Sequence, residues 1–280
     1  MCFTFALTDS VPSLAGMIGP YLLLEPLGTG SSGQVFHALD IRSSTNVAIK
    51  ILRADLASHP LHRARFRRES WFLHDHDPHP HLLKALDVGD HEGRPYTATE
   101  LVPGGSLEQR LELGYQPSAL AAVGIALDVL SGLHALHAQH VVHRDITPSN
   151  LLLRADDSVI IGDFGIARYH QMPKLTDHGC VLGTLGYCAP EQRYAPHAVG
   201  PQADLYAVGA VLFRLLTGQR PPELALAAVS PELLRAVPAP LRSIIQRATL
   251  FEPAGRFLSA AQMAEELRAV RDAGDLDAVA

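Results

Sequence analysis

Along residues 21–102 apolar and polar positions alternate in short runs broken by Gly, Asn, Asp and Ser, the pattern of strands joined by tight turns. Tyr21 to Pro26, Gln34 to Leu39 and Val47 to Leu52 read as adjacent antiparallel strands, separated by a Gly-rich turn and by a second turn at Arg42 to Asn46. A helical segment from about Leu61 to His76 follows, and Leu82 to Gly89 and Pro95 to Val102 read as two more strands around a turn at His91 to Arg94. After Pro103-Gly104-Gly105 the period changes, because Leu120, Val123, Leu127, Leu130 and His134 recur at helical spacing. Asp204 to Thr217 is apolar on nearly every side, which marks a helix buried in the middle of a domain. Ser259 and Gln262 form a capping-box pair that predicts a last helix running to about Arg271. The class expected is α+β, a small β-rich lobe followed by a larger helical one.

At 280 residues, 47% hydrophobic and 19% charged, the chain can bury a substantial core as one large domain or two small ones. The 23 Lys and Arg against 29 Asp and Glu leave a net charge of -6, which argues against nucleic acid or anionic lipid as a partner. Cys2, Cys180 and Cys188 are odd in number and widely spaced, unlike a disulfide framework, which points to a reducing, cytoplasmic compartment; Cys180 and Cys188, which could form a redox pair, read as small buried or idle residues. The longest apolar runs, Ala119 to Leu127 and Leu205 to Phe213, end at Asp128 and Arg214. Both fall well short of the ~18 residues a membrane span needs, so no membrane partner is expected.

Chemistry enters at Gly28-Thr29-Gly30-Ser31-Ser32-Gly33, a G-x-G-x-x-G run. In a dinucleotide fingerprint a helix starts at the last glycines. Here Gln34 to Ala38 has strand character, so the glycines sit at a hairpin tip, where bare amides can fold over phosphates. Val47-Ala48-Ile49-Lys50 follows, in a chain whose only other lysines are Lys84 and Lys174. On the next helix Glu69 shares a face with Phe66, Phe72 and Leu73, and a carboxylate on an apolar stripe needs a cationic mate.

Then come His143-Arg144-Asp145-Ile146-Thr147-Pro148-Ser149-Asn150, Asp163-Phe164-Gly165 and Ala189-Pro190-Glu191. With these in order the chain strongly resembles the eukaryotic-like serine/threonine protein kinase family, from about Tyr21 to Arg271. The resemblance implies a two-lobed kinase-like fold, with residues 1–19 a poorly ordered leader, 20–271 the kinase domain divided at about 102/103, and 272–280 a short tail. It implies transfer of the γ-phosphoryl group of ATP, with Mg²⁺ or Mn²⁺, to Ser or Thr of protein substrates, including self-association for autophosphorylation. Lys50 would hold the α and β phosphates and Glu69 would orient it. Asp163 and Asn150 would bind the metals, and Asp145 would accept or orient the acceptor proton. ATP contacts extend to Leu27, Gly28, Gly30, Gly33, Val35, Ala48, Glu100 and Val102, with Thr99 as gatekeeper. Asp204 matches the buried aspartate that orders the catalytic loop, and Arg256 the arginine that pairs with Glu191.

Two departures stand out: Thr147 replaces the usual lysine of the catalytic loop, which implies slower transfer, and Ser32 replaces an aromatic at the tip of the Gly loop. An ATP-binding scaffold with little transfer activity is the alternative; the retained Asp145 argues against it. Thr176 is the expected activating phosphosite, meeting Arg144 and Arg168. The 15 histidines are read as structural and not as a zinc site, His137 standing where the family often carries histidine. The arginines at 63, 65, 67 and 68 are read as a solvated helix face.

Overall fold

The computed structural model describes residues 16–30, 32–163, 185–195, 199–228, 231–274 and 276. The chain divides into two compact units, the first comprising residues up to His74 together with Ala85–Leu101, the second Asp75–Lys84 together with Val102 onwards.

The first unit is built on a six-stranded antiparallel sheet in the order β1-β2-β3-β4-β6-β5. Its strands are β1 (Met17–Ile18), β2 (Tyr21–Thr29), β3 (Gly33–Asp40), β4 (Thr45–Leu52), β5 (Ala85–His91) and β6 (Arg94–Glu100). Alternation assigns the faces: Val47, Ile49 and Ile51 of β4 join Tyr21, Ala38, Tyr96 and Ala98 in one apolar cluster. Ala48 and Lys50 therefore point the other way. Two helices follow β4, α1 (Ala54–Ala57) and α2 (Pro60–Asp75), and α2 buries Phe66, Ser70 and Leu73. Its arginines are not a purely solvated face, because Arg63 and Arg67 both hold Asp90 of β5, at 3.2 and 3.0 Å.

Three expectations change here. The leader reading fails at its end, since Met17 and Ile18 pair with Leu22 and Tyr21 and Ile18 is buried in the cluster. Residues 75–84 group with the second unit and not with the small lobe. Leu83 N–H donates to Ile161 O at 2.9 Å, and His76 Nε2 lies 2.9 Å from Leu83 O, which spends this stretch on the second unit. The short tail is also more than a tail, because Leu276 is buried.

The second unit contains α3 (Leu107–Glu112), α4 (Ala119–Ala138), a two-stranded sheet of β7 (Leu151–Leu153) and β8 (Val159–Ile161), and α5 (Pro190–Tyr194). It continues with α6 (Gln202–Thr217), α7 (Ala239–Ala248) and α8 (Ala260–Asp272). Helix α4, with mean hydropathy 1.8, is long and apolar enough to cross a membrane, a property the count of uninterrupted runs missed because Asp128 lies within it. Its apolar residues are largely buried inside the unit against α6 and α8, as in the core helix of a globular fold. Asp128 faces out of that core and accepts a hydrogen bond from Val159 N–H at 3.0 Å.

Helix α8 starts where the capping pair predicts, Ser259 Oγ accepting from Gln262 N–H at 3.2 Å. The return bond differs: Gln262 Oε1 takes the N–H of Leu258. Buried α6 is apolar all round, as expected, and meets α7 at Gly209, where an added Cβ would lie 2.9 Å from Ala248 Cβ and 3.0 Å from Thr249 Cγ2. We expect Gly209→Ala to cost about 1–3 kcal/mol through overpacking. Urea unfolding checks this, and an unchanged midpoint would show that the two helices yield freely.

Candidate functional site

Across β2, β3, β4 and β6 the residues Gly28, Val35, Lys50 and Thr97 stand directly opposite one another in register. At the β2–β3 tip Gly30 N–H donates to Gly33 O at 2.8 Å, so the glycine run closes a hairpin and leads into a strand, as the sequence implies. Gly33 has no room for a side chain: a Cβ would meet Ile51 O at 3.0 Å and Lys50 Cγ at 3.1 Å. Backbone and lysine stem are thereby packed together. Lys50 Nζ reaches Glu69 Oε1 at 3.0 Å, with both side chains largely buried.

The pairing depends on the rotation of α2, and a contact absent from the sequence reading holds it. Ser70, the neighbour of Glu69, bonds to Thr97 Oγ1 on β6 and donates to Phe66 O at 2.8 Å. Thr99 is buried and stands opposite Ala48 in the register of β6 with β4. Glu100 closes that strand and is half-buried, while Val102 belongs to the second unit. Leu27, at 39% exposed, is open to solvent.

In the second unit the loop between α4 and β7 is organised by Asp204, which has no exposure at all. Its Oδ1 accepts from Arg144 N–H at 2.7 Å and its Oδ2 from His143 N–H at 2.9 Å. His137 Nε2 lies 2.8 Å from the same Oδ2. Arg144 adopts φ 68, a left-handed conformation unusual outside glycine. The next residue, Asp145, is half-buried, and Asn150 Nδ2 donates to its main-chain O at 2.8 Å and its Oδ2 at 2.9 Å.

His143 joins this loop to the metal-binding candidate downstream. Its Nδ1 accepts from Asp145 N–H at 3.2 Å, which requires Nε2 to carry the proton that is donated to Gly162 O at 3.2 Å. Gly162 N–H in turn donates to Asn150 O at 2.8 Å. Asp163, exposed and at φ 45, follows directly on that anchored glycine. Burial holds the His143 imidazole below its ordinary 6.5, outweighing the attraction of Asp204 and Asp145.

Arg256 is buried to 1% exposure and uses all five donors. Two go to Glu191 carboxylate oxygens at 2.7 and 2.8 Å, and the others to Leu250 O, Gln202 O and Phe251 O. The pairing implied by the motifs is therefore present and bidentate. Thr147, in the lysine position, is 4% exposed. Cys188 is buried and disulfide-bonded, so the idle reading does not hold for it. Thr176, Thr184, Arg168 and Cys180 lie outside the described residues. Among the described residues no group of three or more His, Cys, Asp or Glu side chains is arranged to hold a metal on its own.

A carboxylate fixed by an amide, with a second acidic residue following the glycine that the same loop anchors, suits phosphoryl transfer, which needs charge placed accurately more than it needs covalent chemistry. The chain belongs to the protein kinase domain family, whose model matches residues 21–230. It is 34% identical over 271 residues to the serine/threonine-protein kinase PknD of Mycobacterium tuberculosis, an alignment covering 92% of this chain and 40% of PknD. It is 35% identical over 283 residues to PknJ of the same species, covering 95% of this chain and 48% of PknJ. The solved kinase domain of M. tuberculosis PknI is similar in fold, with TM-score 0.69 at 25% identity over 93% of this chain and all of that one. The chain thus spans less than half the length of the two curated relatives.

Two outcomes are expected. Removing Arg256 leaves Glu191 buried and unmatched, so Arg256→Ala should lower stability by about 3–5 kcal/mol in urea unfolding. A loss below 1 kcal/mol would mean that water replaces the guanidinium freely. For His143, the unfolded chain takes up its proton near 6.5 while the folded chain resists it, so the unfolded state binds more protons just below that value. The stability His143 contributes is complete above 6.5 and declines as pH falls. Burial also depresses His62 and His79, so part of the slope persists in His143→Gln. Thermal midpoints should nevertheless fall less steeply with acid in the variant, and equal slopes would refute the assignment.

Proposed function

We propose that this chain transfers the γ-phosphoryl group of ATP to serine and threonine hydroxyls of proteins, copies of itself among them. The observation that carries the reading is the Asp145–Asn150 pair. Asn150 directs its amide nitrogen at two acceptors of Asp145, which settles the amide's orientation and leaves its carbonyl oxygen as the group for a metal. Asn150 and Asp163 thereby offer the hard oxygen donors that Mg²⁺ or Mn²⁺ prefers. The Gly33–Lys50 contact supports the nucleotide reading, since a bare backbone beside an oriented ammonium suits a phosphate chain.

Metal-bound ATP, when present, supplies the electrophilic γ-phosphorus and part of the charge that offsets the phosphate oxygens. Lys50 Nζ, aimed by Glu69, binds the α and β phosphate oxygens. The backbone of Gly28, Gly30 and Gly33, bare of side chains, covers them, Leu27, Val35 and Ala48 give apolar contact to the base, and the main chain at Glu100 and Val102 reads its edge. The Asp145 carboxylate orients the acceptor hydroxyl and takes its proton. Thr147-Pro148-Ser149-Asn150 and the serine/threonine kinases among the relatives favour Ser and Thr as acceptors. With Thr147 in place of lysine, one cation is missing from the developing charge, so turnover is expected to be slow.

The chain incubated with labelled ATP and Mg²⁺ should become labelled. Asp145→Ala should reduce the rate by about 10²-fold or more while still binding ATP. Lys50→Ala should lose transfer as well. Equal labelling of all three proteins would refute the enzyme and leave an ATP-binding scaffold.

A further inference from the structure

Gln192 follows directly on Ala189-Pro190-Glu191 in α5, near the helix start, where a polar side chain ordinarily faces water. Here it is 5% exposed. Its Oε1 accepts from Ala189 N–H at 3.0 Å, and its Nε2 donates to Arg144 O at 2.8 Å. That carbonyl belongs to the residue at φ 68 immediately before Asp145.

The bonds around Arg144 form a clamp. The peptide preceding its Cα is held by Asp204, which takes the Arg144 N–H. The peptide following it is held at both ends, the carbonyl by Gln192 and the Asp145 N–H by His143 Nδ1. A left-handed conformation at a non-glycine residue persists only when its surroundings over-determine it. Asp204 alone leaves the second peptide free to rotate about Arg144 ψ, and that rotation swings the Asp145 Cα with it. Gln192 and His143 Nδ1 together remove the freedom, one from each end of the peptide. Gln192 also ties the position of Asp145 to α5, whose Glu191 is anchored by Arg256.

We infer that Gln192 is a positioning residue for phosphoryl transfer, acting through the Arg144 carbonyl to hold the Asp145 carboxylate in register with the acceptor hydroxyl. This rests on the reading that Asp145 handles the acceptor proton. No bond forms or breaks at Gln192.

Gln192→Glu isolates the contact. It keeps the size of the side chain and an oxygen for Ala189 N–H, but sets an acceptor against the Arg144 carbonyl. Gln192→Ala removes both bonds, and if it folds poorly the glutamate variant carries the test. In the full chain with Mg²⁺ and ATP, kcat for Gln192→Glu should fall by about 10-fold to 100-fold, the scale of a misplaced catalytic group. KM for ATP should stay within about two-fold, since nucleotide contacts are untouched. Placed on an Asp145→Asn background, Gln192→Glu should alter the residual rate by less than about two-fold, because residues acting through one group are non-additive. Hydrogen exchange across residues 143–150 of the folded variant should be faster than in the parent.

A Gln192→Glu enzyme with the parent's kcat, or one whose loss is undiminished on the Asp145→Asn background, overturns the inference and leaves the Asp145 reading intact. An Asp145→Asn enzyme that keeps full activity overturns that reading, and this inference with it.

Discussion

A carboxylate with no exposure to water must find its solvation inside the protein, and Asp204 finds it in the chain that carries the chemistry. Two consecutive main-chain N–H groups, those of His143 and Arg144, converge on its two oxygens. The torsions at His143 turn both amides toward the one carboxylate, and the positive φ at Arg144 that follows is the bend leading on to Asp145. The loop shape is thus the solvation shell of a buried charge, and Asp145 takes its place from the bend. The aspartate in turn sits on α6, whose burial on every side leaves it little freedom to shift.

The first unit solves a related problem with fewer partners. Lys50 and Glu69 bring their charges to each other from a strand and a helix, and neither element alone specifies the meeting. Sheet register sets Lys50 between Val35 and Thr97, while the hydroxyl contact of Ser70 with Thr97 sets the turn of the helix. Arg256 shows the same economy in the second unit, since five donors matched to five acceptors stitch α5, α6 and the turn before α8 around one cation.

How much of this was legible in the sequence depended on how local each signal is. Alternation and turn residues revealed the strands, and a rare lysine with a glutamate on an apolar stripe revealed the ion pair before any motif was invoked. Asp145, Asn150 and Asp204 could be read only through ordered motifs, because nothing near Asp204 shows that its carboxylate reaches a loop 60 residues earlier. Gln192 and Ser70 left no signal, being ordinary polar residues whose burial is decided by elements elsewhere. Asp128 misled the count of apolar runs for the opposite reason: a charge interrupts a run of letters, yet on a helix it needs only one outward position. Residues 75–84 were misassigned because chain order placed them between two strands of the sheet while their hydrogen bonds lie with β8.

The burial of α4 also sets an order of events during synthesis. The first unit is complete once Leu101 has been made, so its sheet can close early. Helix α4 appears next, carrying an apolar surface whose covers, α6 and α8, are encoded much later. Arg256, which locks Glu191, is later still than the stretch matched by the family model. Until α8 leaves the ribosome, the nascent second unit holds a partly uncovered helix with the hydropathy of a membrane span, the interval in which a chaperone has most to protect.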